Sequence, residues 1–373
     1  MSKTVWILGA GFSKPLGGPL LRDLMTKHLE THLLASLGSR KLDSGFVREV
    51  RQWFEGSVQG TRHGYQERES GERVWPGVPW TNPEEFVSVV ERAVGRDADE
   101  LRIALKAATM HSGETLDERI LQEMGSKCRN YLALACDYFV PRPKLFAALE
   151  TTSPFRRWAT SLGRGDTILT FNYDRVVETA CGDALQVALP WQPVSLEPSE
   201  APRLFKLHGS VTFQRDPASK NESLETSPSC VFDALEKKRE FVIGVPGPSK
   251  LLLATTWEPY WKAAEDALSD ADSIILVGYR FAESDHEAKR RILGAMQRNG
   301  RPNLTVFVVL GHGIPGNPGE RVSKMITWVL DRRDKISNAT KHNITTVPMF
   351  TEDFLAVFDH SDLDRGSSRP IIG

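Results

Sequence analysis

Cysteine is scarce, with four in 373 residues: Cys128, Cys136, Cys181 and Cys230. No two form a CxxC pair, which leaves neither a zinc ribbon nor a thioredoxin-like redox motif. Their spacing matches no disulfide framework, so a reducing, cytoplasmic compartment is expected. Long apolar runs are missing as well. No stretch reaches the ~18 apolar residues that a membrane span needs, and the run after Met1 is too short for a secretory leader. Net charge is nearly absent, because 47 Lys and Arg stand against 48 Asp and Glu, giving −1. No overall basic field exists to hold nucleic acid non-specifically. Neither a direct nucleic-acid module nor a membrane association is expected. Hydrophobic residues at 40% and charged residues at 25% are ordinary for a globular chain and exclude a wholly disordered or collagenous one. The length allows two or three domains, or one enlarged α/β domain.

What is present is a rhythm of short apolar runs and helical patterns. Val5-Trp6-Ile7-Leu8 has no polar alternation and is followed by Gly9-Ala10-Gly11-Phe12-Ser13. That is how a strand buried on both faces reads before a glycine turn and a helix. Further strands are expected at 167–171, 203–207, 241–244, 273–277, 304–310 and 344–347. Helices are expected at 260–268, 285–298, 319–333 and 351–358. Residues 40–162 differ in character. They carry amphipathic patterns, an irregular Gly-, Pro- and Trp-containing stretch at 56–82, and a helix start with Asn82 as N-cap and Pro83 at the first helical position. Residues 214–230 read as a polar loop. The fold expected is α/β: a Rossmann-like, mostly parallel sheet with helices on both faces, plus a large helical insertion. The expected division is a discontinuous sheet domain at 1–39 and 163–358, a helical subdomain at 40–162 and a polar tail at 359–373.

In a parallel sheet, ligands bind outside the carboxyl ends of the strands. Four strand ends here carry unusual residues: Gly9–Ser13, Asn172–Asp174, His208–Ser210 and Gly278–Phe281. A GxG turn lets backbone approach a phosphate closely, yet it is also an ordinary tight strand–helix turn. The third glycine of a dinucleotide fingerprint is replaced by Lys14, and no acidic ribose ligand is evident ~20 residues on. Asn172 and Asp174 can equally cap a helix starting at Arg175, and His208 can be a satisfied strand-end histidine. Lys289-Arg290-Arg291 reads as a solvated helix face, and Trp75 and Trp80 as packing residues.

Together the four blocks resemble the sirtuins. Gly9-Ala10-Gly11-Phe12-Ser13, then Gly17-Gly18-Pro19-Leu20-Leu21-Arg22, is similar to the sirtuin opening Gly-Ala-Gly-Ile-Ser with its later Gly-Ile-Pro-Asp-Phe-Arg. Leu20 stands in place of the aspartate and Leu21 in place of the phenylalanine. Thr170-Phe171-Asn172-Tyr173-Asp174 resembles Thr-Gln-Asn-Ile-Asp, and Leu207-His208-Gly209-Ser210 resembles the block with the catalytic histidine. Gly278-Tyr279-Arg280-Phe281 falls where sirtuins have a cofactor-contacting Gly-Thr-Ser turn. The resemblance implies NAD as substrate. It implies that Gly9, Ala10, Gly11, Phe12 and Ser13 hold the pyrophosphate, with Arg22 near the ribose or phosphates. Asn172 would orient water, Asp174 would hold the nicotinamide carboxamide, and His208 would serve as general base. Gly209, Ser210, Gly278, Tyr279 and Arg280 would complete the cofactor site. Asn172 and His208 are expected near a partly exposed strand edge, where substitution leaves the fold intact.

The departures narrow the resemblance. Only Cys230 lies where deacylating sirtuins carry a four-cysteine zinc ribbon, so no zinc is expected. That absence and the helical block are similar to divergent sirtuin-like proteins of bacterial antiphage defence, which hydrolyse NAD to ADP-ribose and nicotinamide. The resemblance therefore implies a regulated NAD hydrolase, acting as a homo-oligomer or with a separate sensor or ATPase protein. A zinc-free NAD-dependent protein deacylase and a non-catalytic NAD- or ADP-ribose-binding subunit are the alternatives.

Overall fold

A computed structural model describes residues 3–60, 66–67, 73–74, 83–93, 101–102, 105–106, 116–140, 153–194, 200–216, 224–227, 230–245, 248–282, 285–312, 316–336 and 342–358. Asn82, Trp75, Trp80 and the tail from Asp359 lie outside the described residues. Among the described residues no helix is long and apolar enough to cross a membrane.

In chain order the strands are β1 (Thr4–Leu8), β2 (Gln66–Glu67), β3 (Arg73–Val74), β4 (Thr167–Thr170), β5 (Gln186–Val187), β6 (Arg203–Lys206), β7 (Gly209–Arg215), β8 (Leu224–Thr226), β9 (Glu240–Ile243), β10 (Ser273–Val277), β11 (Leu304–Val309) and β12 (His342–Val347). Seven of them form one sheet in the order β12-β11-β10-β1-β4-β6-β5. Every pairing in it is parallel. This is the Rossmann-like α/β architecture that the strand–helix rhythm implies. β1, β4 and β10 are buried along their whole length, as their unbroken apolar runs require in a covered parallel sheet. Helices at Glu258–Ser269, His286–Arg298, Pro318–Ile336 and Thr351–Val357 fall at the expected places.

The chain forms two compact units. The first comprises Met1–Gly18, Phe139–Ser210 and Leu253–Gly373, and holds the parallel sheet. Its core joins apolar strands to aromatic rings: Trp6 meets Trp158 edge-on at 5.6 Å, and Phe12 meets Phe155 at 5.3 Å. The second comprises Pro19–Tyr138 and Val211–Leu252. Its centre is the helix Glu118–Asp137, which packs on the helices Gly45–Gly60 and Pro83–Ala93 and on β9. Thus 211–252 groups with the helical unit and 139–162 with the sheet unit.

Three sequence readings change. Strand 241–244 exists as β9, but it belongs to a small sheet, β8-β7-β9. Part of the 214–230 stretch is strand, since β7 and β8 pair antiparallel from Phe213 to Arg215. Lys289-Arg290-Arg291 is not uniformly solvated. Arg291 is buried and bridges Glu258, Glu287 at 2.7 Å and Glu265 at 2.9 Å, with its guanidinium over Trp261. It clamps helix 286–298 to helix 258–269.

The sheet order also places a switch point. After β1 the chain adds β4, then β5 at the edge, then β6 between them on one side, and returns to add β10, β11 and β12 on the other. The reversal lies between β1 and β10, and such switch points open a crevice at the strands' carboxyl ends. There the two following turns touch backbone to backbone. Gly9 N–H donates to Val277 O at 3.1 Å and Gly11 N–H to Gly278 O at 3.2 Å. A Cβ on Gly9 would lie 2.7 Å from Gly278 O, and one on Gly11 2.7 Å from Gly278 Cα. Gly278 itself sits at φ +66, and its Cβ would lie 2.5 Å from Phe12 N. Gly278→Ala should therefore cost at least ~2 kcal/mol in denaturant unfolding, from left-handed strain plus overpacking. Gly300→Ala, with nothing within 4 Å, should stay within ~0.5 kcal/mol. Equal, small effects would show that the glycine contact is dispensable.

Candidate functional site

The register puts four strand ends level. Leu8 of β1 is opposite Thr170 of β4 and Val277 of β10, and Thr170 is opposite Lys206 of β6. The residues that follow each end emerge at one edge of the sheet, so the four sequence blocks converge as their positions imply.

The first turn is the short helix Ala10–Ser13, with Gly9 before it. Phe12 N–H donates to Gly9 O at 2.8 Å. The amides of Gly9, Gly11 and Phe12 are thus engaged within the turn pair, and the glycines supply close approach. The Phe12 ring is buried in the core, whereas Ala10 is exposed. Gly11 O accepts from the hydroxyl of Thr351 at 2.9 Å, which ties the turn to the last described helix.

Asn172 fastens the β4 end to that turn. Its Nδ2 donates to Gly9 O at 3.0 Å and to Ser13 Oγ at 3.1 Å, and its backbone N–H donates to Thr170 Oγ1 at 3.1 Å. A carbonyl oxygen such as Gly9 O can only accept, so the amide's orientation is dictated. The Asn172 carbonyl Oδ1 is left as the group able to accept from a ligand hydroxyl or water.

Ser13 also bears on Asp174, favouring the charged form of its carboxyl. Val176 N–H donates to Asp174 Oδ1 at 3.0 Å. Asp174 is buried, and burial pushes its carboxyl up to about 6 against the pull of the Lys206 charge and of the Ser13 and Val176 hydrogen bonds. Lys206, completely buried at the end of β6, donates from Nζ to Asp174 O and, at 2.7 Å, to Glu178 Oε1. Asp174 is not the N-cap, since Arg175 holds that place before the helix Val176–Cys181; its carboxyl instead closes a two-residue turn onto Val176 and belongs to the strand-end network.

His208 follows β6 in a turn closed by Gly209 at φ +83. It is 6% exposed, so the expected partly exposed setting does not hold. Its ring meets Phe171 edge-on at 4.8 Å, and its Nε2 lies 3.9 Å from Asp285 Oδ1. Phe171 also stacks on Tyr279 at 4.2 Å. The Tyr279 hydroxyl donates to Asp285 Oδ2 at 3.2 Å. Ser210 is fully buried, with Oγ 3.5 Å from Tyr173 O.

Two further predicted positions, Arg280 and Arg22, have other contacts. Arg280 is exposed, and its carbonyl accepts from Arg321 at 3.0 Å. Arg22 belongs to the second unit, where its exposed side chain lies 3.9 Å from Asp23. Asp285 and Lys206 were missed by sequence reasoning. Asp285 falls within the helix expected at 285–298; it stands at the N-cap of that helix and makes no side-chain cap bond. Lys206 carries no signal, being a charged residue at the end of a four-residue strand that also begins with one. Among the described residues, no three His, Cys, Asp or Glu side chains converge on a metal-sized site.

The edge thus presents an acceptor amide, an imidazole beside a carboxylate, and a carboxyl that titrates near neutrality. Residues 166–321 match the family model described as a SIR2-like domain. This SIR2-like span holds Asn172, Asp174, His208, Gly278 and Asp285, while the glycine turn at 9–13 precedes it. No curated protein matches the chain in sequence. Similar solved structures include a Sir2 in complex with the inhibitor EX-527, 2'-O-acetyl-ADP-ribose and deacetylated p53 peptide, at 12% identity and TM-score 0.33 over 95% of this chain and 90% of that one. Another is Sir2Tm bound to a propionylated peptide, at 13% identity and TM-score 0.34, with the same coverage.

Burying an acid whose pKa is raised costs stability as pH climbs. The fold is favoured below the unfolded value of 3.8, and that advantage is lost as pH rises to about 6. Asp174→Asn keeps the shape and an acceptor oxygen without the charge. It should unfold at higher denaturant than the parent at pH 8, by up to ~3 kcal/mol, and lose that advantage near pH 4. A variant less stable at pH 8 would show that the charge is held favourably.

Proposed function

We propose that this crevice binds NAD and hydrolyses its nicotinamide–ribose bond, yielding ADP-ribose and nicotinamide. The observation that supports the reading is that Asn172 bonds the glycine turn at the sheet's switch point while His208 follows the strand next to it, both within the SIR2-like span.

In this reading the bond between ribose C1′ and the nicotinamide nitrogen breaks, and its electron pair leaves with neutral nicotinamide. C1′ acquires oxocarbenium character, and water adds to it with loss of one proton. Asn172 Oδ1 accepts from that water or from a ribose hydroxyl, which holds the reactants in line. His208 takes the proton as general base. Asp174 receives the carboxamide of the leaving group. Ala10 and Ser13 line the phosphate side, together with Gly209, Ser210 and Tyr279. The close glycine contact keeps side chains out of that path. We further read the chain as an effector of antiphage defence, gated by self-assembly or by a separate sensor or ATPase protein. An ungated hydrolase would drain its own cell's NAD.

Purified protein, alone and co-expressed with its genomic neighbours, should convert NAD to ADP-ribose and nicotinamide, followed by mass spectrometry. No turnover in any assembly state would contradict the proposal. Release that requires an acyl-lysine peptide would favour the deacylase alternative. His208→Gln should lower turnover by ~10²–10⁴-fold, and Asn172→Ala by at least ~10²-fold. Asn172→Ala should also unfold earlier than the parent, because it removes two hydrogen bonds that anchor the first turn, each worth about 1 kcal/mol. Wild-type turnover in either variant would refute the assigned role.

A further inference from the structure

We propose that Asp285 is a positioning residue for His208: its carboxylate holds the imidazole proton on Nε2 and leaves Nδ1 as the basic nitrogen. The inference rests on the reading of His208 as the base, and adds the group that sets its protonation.

Three observations place Asp285 in that role. Its Oδ1 lies 3.9 Å from His208 Nε2, and both side chains are buried. At that distance the interaction is electrostatic, since a hydrogen bond requires closer approach. A buried carboxylate nonetheless favours N–H, or the imidazolium, on the nitrogen that faces it. The carboxylate is also held on its other side, because the Tyr279 hydroxyl donates to Oδ2 at 3.2 Å. Finally, the aromatic frame is continuous. Phe171 stacks on Tyr279 at 4.2 Å and meets the His208 ring edge-on at 4.8 Å. Imidazole and tyrosine are thus indexed against one ring, and the carboxylate spans them.

The position of Asp285 agrees. It opens the helix His286–Arg298 but spends no side-chain bond on capping it, so the carboxyl serves another purpose. The imidazolium formed when His208 takes a proton would be stabilised by the same carboxylate. An amide at this place keeps an oxygen for the Tyr279 hydroxyl but presents N–H to Nε2, which favours the opposite tautomer.

The test reads the ring itself, without substrate. In protein labelled with ¹⁵N-histidine, the His208 nitrogens are assigned by their loss in His208→Gln. The expected pattern in the parent is a protonated Nε2 and an unprotonated Nδ1, with Asp285→Asn shifting the population toward Nδ1–H. Asp285→Glu, which retains a carboxylate, should keep the parental pattern. Tyr279→Phe should give an intermediate one. A parental ring carrying its proton on Nδ1, or one unmoved by Asp285→Asn, overturns the proposal whether or not NAD is cleaved. The expected ring pattern without any NAD turnover would uphold the pairing and refute the hydrolase reading alone. Where turnover is present, Asp285→Asn should lower kcat by ~10²-fold or more while KM stays within a few-fold. A change confined to KM would also overturn the proposal.

Discussion

The contact on which the site depends is the one between two backbones, the turn after β1 and the turn after β10. Gly9 and Gly11 on one side and Gly278 on the other pass so close that no Cβ fits among them. Because they touch, Gly9 O is held where Asn172 can reach it, Ser13 is held where it can join Asn172 to Asp174, and Tyr279 follows Gly278 into the aromatic frame of His208. A side chain at any of the three glycines would move several of these groups at once.

Around that contact the sheet unit buries several groups whose burial is unfavourable. Asp174 is an acid held away from water, Lys206 is a completely buried cation, and His208 and Asp285 are buried side by side. Burying such groups costs stability unless they are paired and hydrogen-bonded. Lys206 answers by spanning Asp174 O and Glu178, and Asp174 by drawing on Ser13 and Val176. Elsewhere the same unit uses pairing simply to bind helices together, as Arg291 does among three glutamates. Such a concentration of buried polar groups at the carboxyl ends of strands is what a chemical site requires, and an inert core would avoid it.

Much of this was legible in the sequence, because strand burial and strand polarity leave local marks. Unbroken runs such as Val5–Leu8 and Ile274–Val277 announce a covered parallel sheet, and Asn172 and His208 stand out for following short buried strands. Tertiary facts left no such mark. β9 looks like another strand of the main sheet, yet it pairs in a small separate one, and partner choice is not written in a four-residue run. Arg291 looks solvated within a basic run, and only the glutamates of a neighbouring helix reveal it as a clamp. Asp285 reads as the first residue of a helix, because its partners, His208 and Tyr279, are set by the turn geometry. The glycines of the first turn suggested amides free for phosphate. In fact Gly9, Gly11 and Phe12 spend theirs within the turns, and the glycines are needed for approach.

Whether four turns from distant parts of the chain form one nucleotide site, as proposed, is tested by hydrogen exchange of the full chain with and without saturating ADP-ribose. The account predicts that exchange slows together in segments 9–13, 171–174, 207–210 and 278–281. Unchanged exchange there, or protection confined to one of the four segments, would contradict it.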